Sequence, residues 1–407
     1  AGEIIMSKKN NIQSVRGAGF IKGQIISFSR GFCFMKPDNG GKDVFISSSD
    51  SMGALPGDRV VISLHADEKG DFGRIKSVYE HGPRTAVGTV RRFHGKLELH
   101  ADAFYTSPIE IVKNKIDAHE GDKILVKVRF SPDGKKLTCA AEKMYGDAEC
   151  AKVCADAIID ALGIPHEFDE VVRGDAKTIN AAGVREDDLK GRTDLRGWNI
   201  FTIDGADAKD LDDAIFVRRI KGGYELSVHI ADVSHYVTDE SPLDQEALRR
   251  GTSVYFADRV IPMYPEEICN GICSLNAHTD KLTFSAFMEF DGEGKMLGYR
   301  FEKTVINSKV RGVYSEVNAI LDGSASPETA EKYACVRTVL DDALELYRIL
   351  DRASSRRGTV HFSSKESQFV LDENGVCVGL KERESGTAER IIEQFMIAAN
   401  VAAARLA

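Results

Sequence analysis

No two of the eight cysteines form a CxxC pair, which argues against a zinc ribbon or a thioredoxin-type redox motif. There is no run of about 18 apolar residues, so no membrane-spanning helix is expected. The start, Ala1-Gly2-Glu3, lacks a charged-then-apolar signal pattern and an initiator Met, and residues are therefore expected upstream. The 1-3-5 oxygen spacing of an EF-hand calcium loop is missing from the one dense acidic run. Cys150/Cys154 and Cys269/Cys273, each four apart, would share a helix face as buried thiols. Free thiols suit a reducing cytosol, so the expected location is cytoplasmic.

What is present is a chain of 407 residues, 43% hydrophobic and 29% charged. That length is enough for about two to four domains of ordinary soluble composition. The net charge of −9 hides an asymmetry. Residues 1–146 hold 23 Lys and Arg against 17 Asp and Glu, a net of +6; the remainder holds 31 against 46, a net of −15. A basic front half is the footprint expected for a phosphate backbone. An acidic back half fits divalent-metal ligands and equally fits solvated acidic helices.

Residues 17–80 read as short alternating strands around Phe20–Ile26, Gly31–Met35, Asp43–Ile46 and Asp58–Leu64, separated by Pro, Gly and Asn turns. Residues 84–146 repeat the plan: Glu120-Gly121-Asp122 before an apolar strand echoes Pro56-Gly57-Asp58 about 65 residues earlier. Two copies of a small all-β barrel are expected. A helix is expected from Asp147 to Leu162, with Cys150, Val153, Cys154, Ala157, Ile158 and Ala161 on one side, inside a helical linker over 147–194. From residue 195 the texture is mixed α/β. A hairpin is expected around Lys221-Gly222-Gly223, a long helix from Pro327 to Arg352 with Ser326 as its N-cap, and a further helix from Ala388 to Ala407.

The densest chemistry lies at Asp204, Asp207, Asp210, Asp212 and Asp213, five aspartates within ten residues, led in by an apolar strand and led out by the hairpin. Carboxylates that converge repel one another and stay ionised only beside cations. Hard oxygens at this spacing suit Mg²⁺ or Mn²⁺, and a carboxylate-held metal pair is one way to hydrolyse a phosphodiester. A solvated acidic loop is the plainer alternative. His229, Asp232 and His235 invite a second metal reading, but ordinary hairpin residues are the better expectation.

The spacing D-x5-D-x-D-D of Asp204, Asp210, Asp212 and Asp213 resembles the catalytic motif of the ribonuclease II/ribonuclease R (RNB) family. The resemblance continues, in family order, through residues 229–237 (HIADVSHYV), 260–265 (VIPMYP), 270–276 (NGICSLN) and 390–400 (RIIEQFMIAAN). It implies two OB (cold-shock-like) barrels at 17–80 and 84–146, after a tail at 1–16, then the linker and an α+β RNB nuclease domain over 195–407 that is cut short. It also implies a 3′→5′ exoribonuclease that degrades single-stranded RNA processively from a free 3′ end to nucleoside 5′-monophosphates. The cofactor implied is Mg²⁺, with Mn²⁺ as the alternative, and no obligate protein partner is evident.

By the same resemblance Asp204, Asp210 and Asp213 would be metal ligands, and Asp212 the carboxylate most critical to catalysis. Tyr255 would stack on the 3′ nucleotides, unless it is core packing. Glu393 would contact ribose, unless it is a helix-surface residue. His361 stands where some members carry a second stacking Phe, and the adjacent Phe362 is a substitute. Arg30–Phe34 and Asp43–Ile46 resemble the RNA-binding strands of cold-shock domains, which makes Phe32, Phe34 and Phe45 candidates for base stacking; core aromatics are the alternative. The family's later arginine motif, its S1 domain and its leading helix-turn-helix have no counterpart in 1–407. The competing expectation is an RNA-binding module with an inert or incomplete nuclease domain; a single-strand-DNA-binding protein would explain 17–146 but not 195–407.

Overall fold

The structure, a computed structural model, describes residues 20–29, 31–67, 70–112, 116–131, 136–359, 366–383 and 385–407. The chain divides into two compact units, residues 1–164 with 371–378 and residues 165–370 with 379–407.

The first unit holds two closed barrels. Strands β1 (Phe20–Ser29), β2 (Phe32–Pro37), β3 (Val44–Ile46), β4 (Arg59–Asp67) and β5 (Gly70–Glu80) close in the order β1-β2-β3-β5-β4. Strands β6 (Thr85–Phe93), β7 (Lys96–Ala101), β8 (Ile109–Ile111), β9 (Asp122–Phe130) and β10 (Leu137–Asp147) close in the same circular order, as the sequence echo implies. Period-two alternation sends Cys33, Met35, Ile46, Val60 and Ile62 inside the first barrel, and Val90, Leu99, Ile124, Val126 and Cys139 inside the second. The helix α1 (Ala151–Leu162) packs on β6, β9 and β10 and stops at Gly163, whose φ of 62° is left-handed. Its buried side chains are Ala155, Ala157 and Ile159, while Ile158 is exposed. The buried face is thus rotated from the one read in the sequence, and α1 starts at Ala151, since Asp147 still belongs to β10.

The second unit opens with α2 (Glu170–Ala182), capped by the Asp169 carboxylate on the Val172 amide. Short strands β11 (Thr193–Asp194) and β12 (Thr202–Asp204) precede the hairpin β13 (Asp213–Ile220) and β14 (Gly223–Ala231). Helices α3 (Val233–Tyr236) and α4 (Pro242–Arg250), the ribbon β15 (Val254–Tyr255) and β16 (Val260–Ile261), and a π-helical turn at Glu267–Ile272 follow. The long strands β17 (Asp280–Asp291) and β18 (Met296–Asn307) complete a five-stranded sheet in the order β11-β18-β17-β14-β13. Next come β19 (Arg311–Val313), α5 (Tyr314–Asp322), α6 (Pro327–Lys332), α7 (Arg337–Arg356) and α8 (Thr387–Leu406). Leu226, Val228, Met288, Leu340, Leu346 and Phe395 meet in one core between sheet and helices. A second cluster gathers Ile200, Leu211, Ile268, Leu275 and Phe287.

The single helix expected from Pro327 to Arg352 is broken between α6 and α7. Tyr333 is fully buried there; its hydroxyl donates to Glu316 Oε2 at 2.7 Å and accepts from the Val313 amide at 2.9 Å. That tertiary demand overrides local helix propensity. Among the described residues no helix is long and apolar enough to cross a membrane.

Candidate active site

Asp204 ends β12 and Asp213 begins β13. The two strands are tied just outside these residues by paired hydrogen bonds between Phe201 and Ile215, at 3.3 and 2.9 Å. The segment between them is therefore a closed loop that carries Asp210 and Asp212. Leu211, 1% exposed, plugs the loop into the core below. Its amide donates to the Ser274 hydroxyl at 3.1 Å, that hydroxyl donates to the Lys209 carbonyl at 2.8 Å, and the Leu275 amide donates to the Leu211 carbonyl at 2.9 Å. The Asp212 carbonyl accepts the Ala231 amide at 3.1 Å. On the other side β19 runs parallel to β12 with Val313 opposite Asp204, and Arg311 Nη2 donates to the carbonyls of Ala206 and Ala208 at 2.8 and 2.7 Å.

This frame holds the carboxylates close enough to raise one another. Asp213 is pushed up to about 6, first by burial and then by Asp204 and Asp212, and its Oδ2 is buried without a hydrogen-bond partner. Asp212 still reaches solvent, yet enough protein surrounds it that desolvation, followed by Asp210 and Asp204, raises its carboxyl. An orphaned buried carboxylate oxygen costs free energy unless a cation meets it. The donors are all hard oxygens, so the residues present fit Mg²⁺ or Mn²⁺. Among the described residues, no three of His, Cys, Asp and Glu stand together tightly enough to grip an ion as they are placed.

Tyr255 lies on β15 and is 67% exposed; its phenol is raised by desolvation and then by the charges of Asp210 and Asp212. Glu393 is exposed on α8; its charge acts on Tyr347, and it is not among the groups that raise Asp212 or Asp213. His361 and Phe362 lie outside the described residues. His229, Asp232 and His235 do not converge. His229 is buried between the hydroxyls of Ser285 and Ser227, at 2.7 and 3.0 Å. Asp232 accepts from Arg192 Nη2 at 2.6 Å, and His235, on α3, meets Asp188 at 3.1 Å.

In the first unit Phe32 and Phe34 share the outer face of β2, because Cys33 and Met35 point inward. Phe45 stands opposite Phe34 on β3, and the three ring centroids are 5.6 to 6.1 Å apart. None of the three belongs to the buried core. The face extends beyond the sequence reading: Phe72 pairs with Phe45 across β3 and β5, stacks on His65 at 5.5 Å, and carries Arg74 over its ring at 5.6 Å. The alternation of Phe72 with the buried Gly73 and Ile75 is the signal that could have shown it. Ser274, inside the 270–276 segment that carries the resemblance, and Arg311 are further parts of the site to which the sequence reading gave no role.

A family model described as RNB domain matches residues 192–407. The chain belongs to the RNB family. A second model, Ribonuclease B OB domain, matches residues 23–78, within the first barrel. Ribonuclease R of Thermotoga maritima is 38% identical over 90% of this chain and 52% of its own length, and that of Escherichia coli is 32% identical over 99% and 50%. Ribonuclease R of Acidithiobacillus ferrooxidans is 32% identical over 89% of this chain and 83% of its own length. This RNB-family chain thus spans about half the length of most of these relatives. Among solved structures, Mycoplasma genitalium RNase R in complex with ribose methylated single-stranded RNA superposes with a TM-score of 0.77 at 24% identity, covering 93% of this chain and 60% of the other. The same protein in complex with double-stranded RNA gives 0.70 at 26% identity, over 86% and 60%.

Proposed function

We propose that the chain carries the metal-binding aspartates and an RNA-docking surface of a 3′→5′ exoribonuclease that degrades single-stranded RNA processively to nucleoside 5′-monophosphates in the cytoplasm. The observation that carries this reading is the gathering of the aspartates: burial and then Asp210 and Asp204 raise Asp212, burial and then Asp204 and Asp212 raise Asp213, and Oδ2 of Asp213 has no hydrogen-bond partner. Asp204, Asp210 and Asp213 would hold Mg²⁺, with Mn²⁺ as a substitute. When bound, the ions neutralise the carboxylates and stabilise charge on the phosphate oxygens. Asp212, the more solvent-accessible carboxylate of the adjacent pair, would position the attacking water and its metal. Tyr255 offers an exposed ring for the terminal base, and Glu393 and His361 are the family's candidates for the ribose and a second base. Phe32, Phe34 and Phe45 offer stacking surfaces for bases of single-stranded RNA, in a sequence-tolerant way.

One observation favours the second reading, an RNA-binding module without turnover: among the described residues no three metal-binding groups converge. Incubation of labelled single-stranded RNA and its DNA equivalent with Mg²⁺ separates the two readings. Release of mononucleotides from RNA only, abolished by Asp212→Asn with RNA affinity retained, supports the nuclease. Binding without mononucleotides supports the module, and unchanged turnover in Asp212→Asn removes the assignment of this carboxylate.

A further inference from the structure

Beside the aspartate loop lies an open cleft of about 600 Å³, lined by the loop residues 206–208, Lys209, Asn270, Asn276 and Arg311. We propose that Arg311 is a positioning residue for the aspartate loop and, with the same guanidinium, a phosphate-binding residue of this cleft. The inference rests on the reading of the chain as a metal-dependent nuclease.

The placement begins with Gly312. A Cβ there would stand 2.3 Å from the Thr202 carbonyl oxygen, so only glycine lets β19 run this close to β12. Arg311, one residue earlier, is paired with Thr202 and reaches past the end of β12 to the loop. One terminal nitrogen, Nη2, spends both its hydrogens on the Ala206 and Ala208 carbonyls at 2.8 and 2.7 Å. Those carbonyls sit between Asp204 and Asp210, so their separation sets where the two carboxylates stand. Arginine suits this task because its donors are fixed in one plane.

Three N–H groups remain, on Nε and Nη1. The Arg311 charge also acts on the Glu316 carboxylate, which it lowers, and the side chain lines the cleft. Lys209, Asn270 and Asn276 add a second cation and two amides around the same space, against one anion, Asp207. A planar fork already immobilised by two carbonyls binds a phosphate with little further loss of side-chain freedom. Residues 206–209, the stretch between Asp204 and Asp210, line the cleft, so the occupant proposed for it is a phosphate of the RNA strand next to the bond being cut.

The two roles can be read apart. A guanidinium that was only a nearby positive charge would repel a dication, and its removal would tighten metal binding. A residue that sets the loop does the opposite. Mn²⁺ binding to the 407-residue chain is titrated by electron paramagnetic resonance, and binding of a single-stranded oligoribonucleotide is followed by anisotropy in EDTA over a KCl series. We expect Arg311→Ala to weaken Mn²⁺ binding at least about tenfold, as loss of a ligand-orienting partner does. The slope of log affinity against log salt should fall by about 0.7, the share of one phosphate contact. In Arg311→Gln the amide can still donate to the loop carbonyls but has no charge, so Mn²⁺ affinity should return toward wild type while the slope stays reduced. Tighter or unchanged Mn²⁺ binding in Arg311→Ala overturns the positioning role, and an unchanged slope overturns the phosphate contact. A wild-type chain that binds no Mn²⁺ overturns the metal reading of the aspartates, and the positioning role with it; the salt slope then still decides the phosphate contact.

Discussion

The hydroxyl of Ser274 accepts the amide of Leu211 at 3.1 Å, across 63 residues of sequence. The same hydroxyl donates to the Lys209 carbonyl, so one small side chain bridges the segment that carries Asp210 and Asp212. We expect Ser274→Ala to leave the buried Leu211 amide unsatisfied and to cost ~1–3 kcal/mol of stability. Turnover should fall by more than the loss of folded protein explains. Urea unfolding and turnover per folded molecule check this; unchanged turnover would show that Asp210 and Asp212 are held without Ser274.

Gly312 fixes the other side. A methyl group added there would meet the Thr202 oxygen at 2.3 Å, so Gly312→Ala must push β19 from β12 and carry Asp204 with it. The contact is with backbone, which cannot rotate away, so a cost of ~1–3 kcal/mol is expected from overpacking. Mn²⁺ affinity should weaken in the surviving folded protein. A variant with wild-type melting temperature and Mn²⁺ affinity would show that the strands can separate without moving Asp204.

These two cases show where the sequence is legible and where it is not. The barrels, the hairpin and the aspartate spacing are local patterns of alternation, turn residues and charge, and the structure has strands and a loop at those places. Ser274 and Arg311 act on residues 63 to 105 positions away, and although 270–276 is a motif segment, no local pattern shows that either side chain clamps the aspartate loop. The break at Tyr333 is similar: helical periodicity runs on, but the Val313 amide and the Glu316 carboxylate claim its hydroxyl from another element. Continued alternation would keep His235 in the hairpin, yet it lies on α3, because the chain turns at Asp232, which Arg192 holds.

His229 makes stability depend on pH. Burial pushes its ring from an ordinary value of 6.5 down to about 3. Between those values the unfolded chain takes up a proton that the folded chain refuses, so this group's contribution is complete above about 6.5 and declines as pH falls toward about 3. Asparagine keeps a donor and an acceptor for Ser227 and Ser285 but does not titrate. His229→Asn should therefore start less stable at neutral pH and lose less on acidification than wild type. Chemical unfolding at about pH 7.5 and about pH 5.5 tests this; equal losses would assign the acid sensitivity to other groups.

The aromatic face of the first barrel gives a test that separates stacking from charge. Phe32, Phe34 and Phe45 touch one another on the outer surface and carry no charge, and Arg74 lies over the adjoining Phe72. If bases stack there, Phe34→Ala should weaken single-stranded RNA binding by ~1–3 kcal/mol while leaving the salt slope as it is, because no phosphate contact is lost. Arg74→Ala should do the reverse: a smaller affinity loss with a slope lower by about 0.7. Both substitutions sit outside the buried core, so the melting temperature should change little. The contrast between the pair matters more than either value, since a folding defect would lower affinity in both without changing the slope in one. Wild-type affinity in Phe34→Ala, and also in the triple alanine variant of Phe32, Phe34 and Phe45, would mean that the strand docks on another surface and that these rings serve the barrel only.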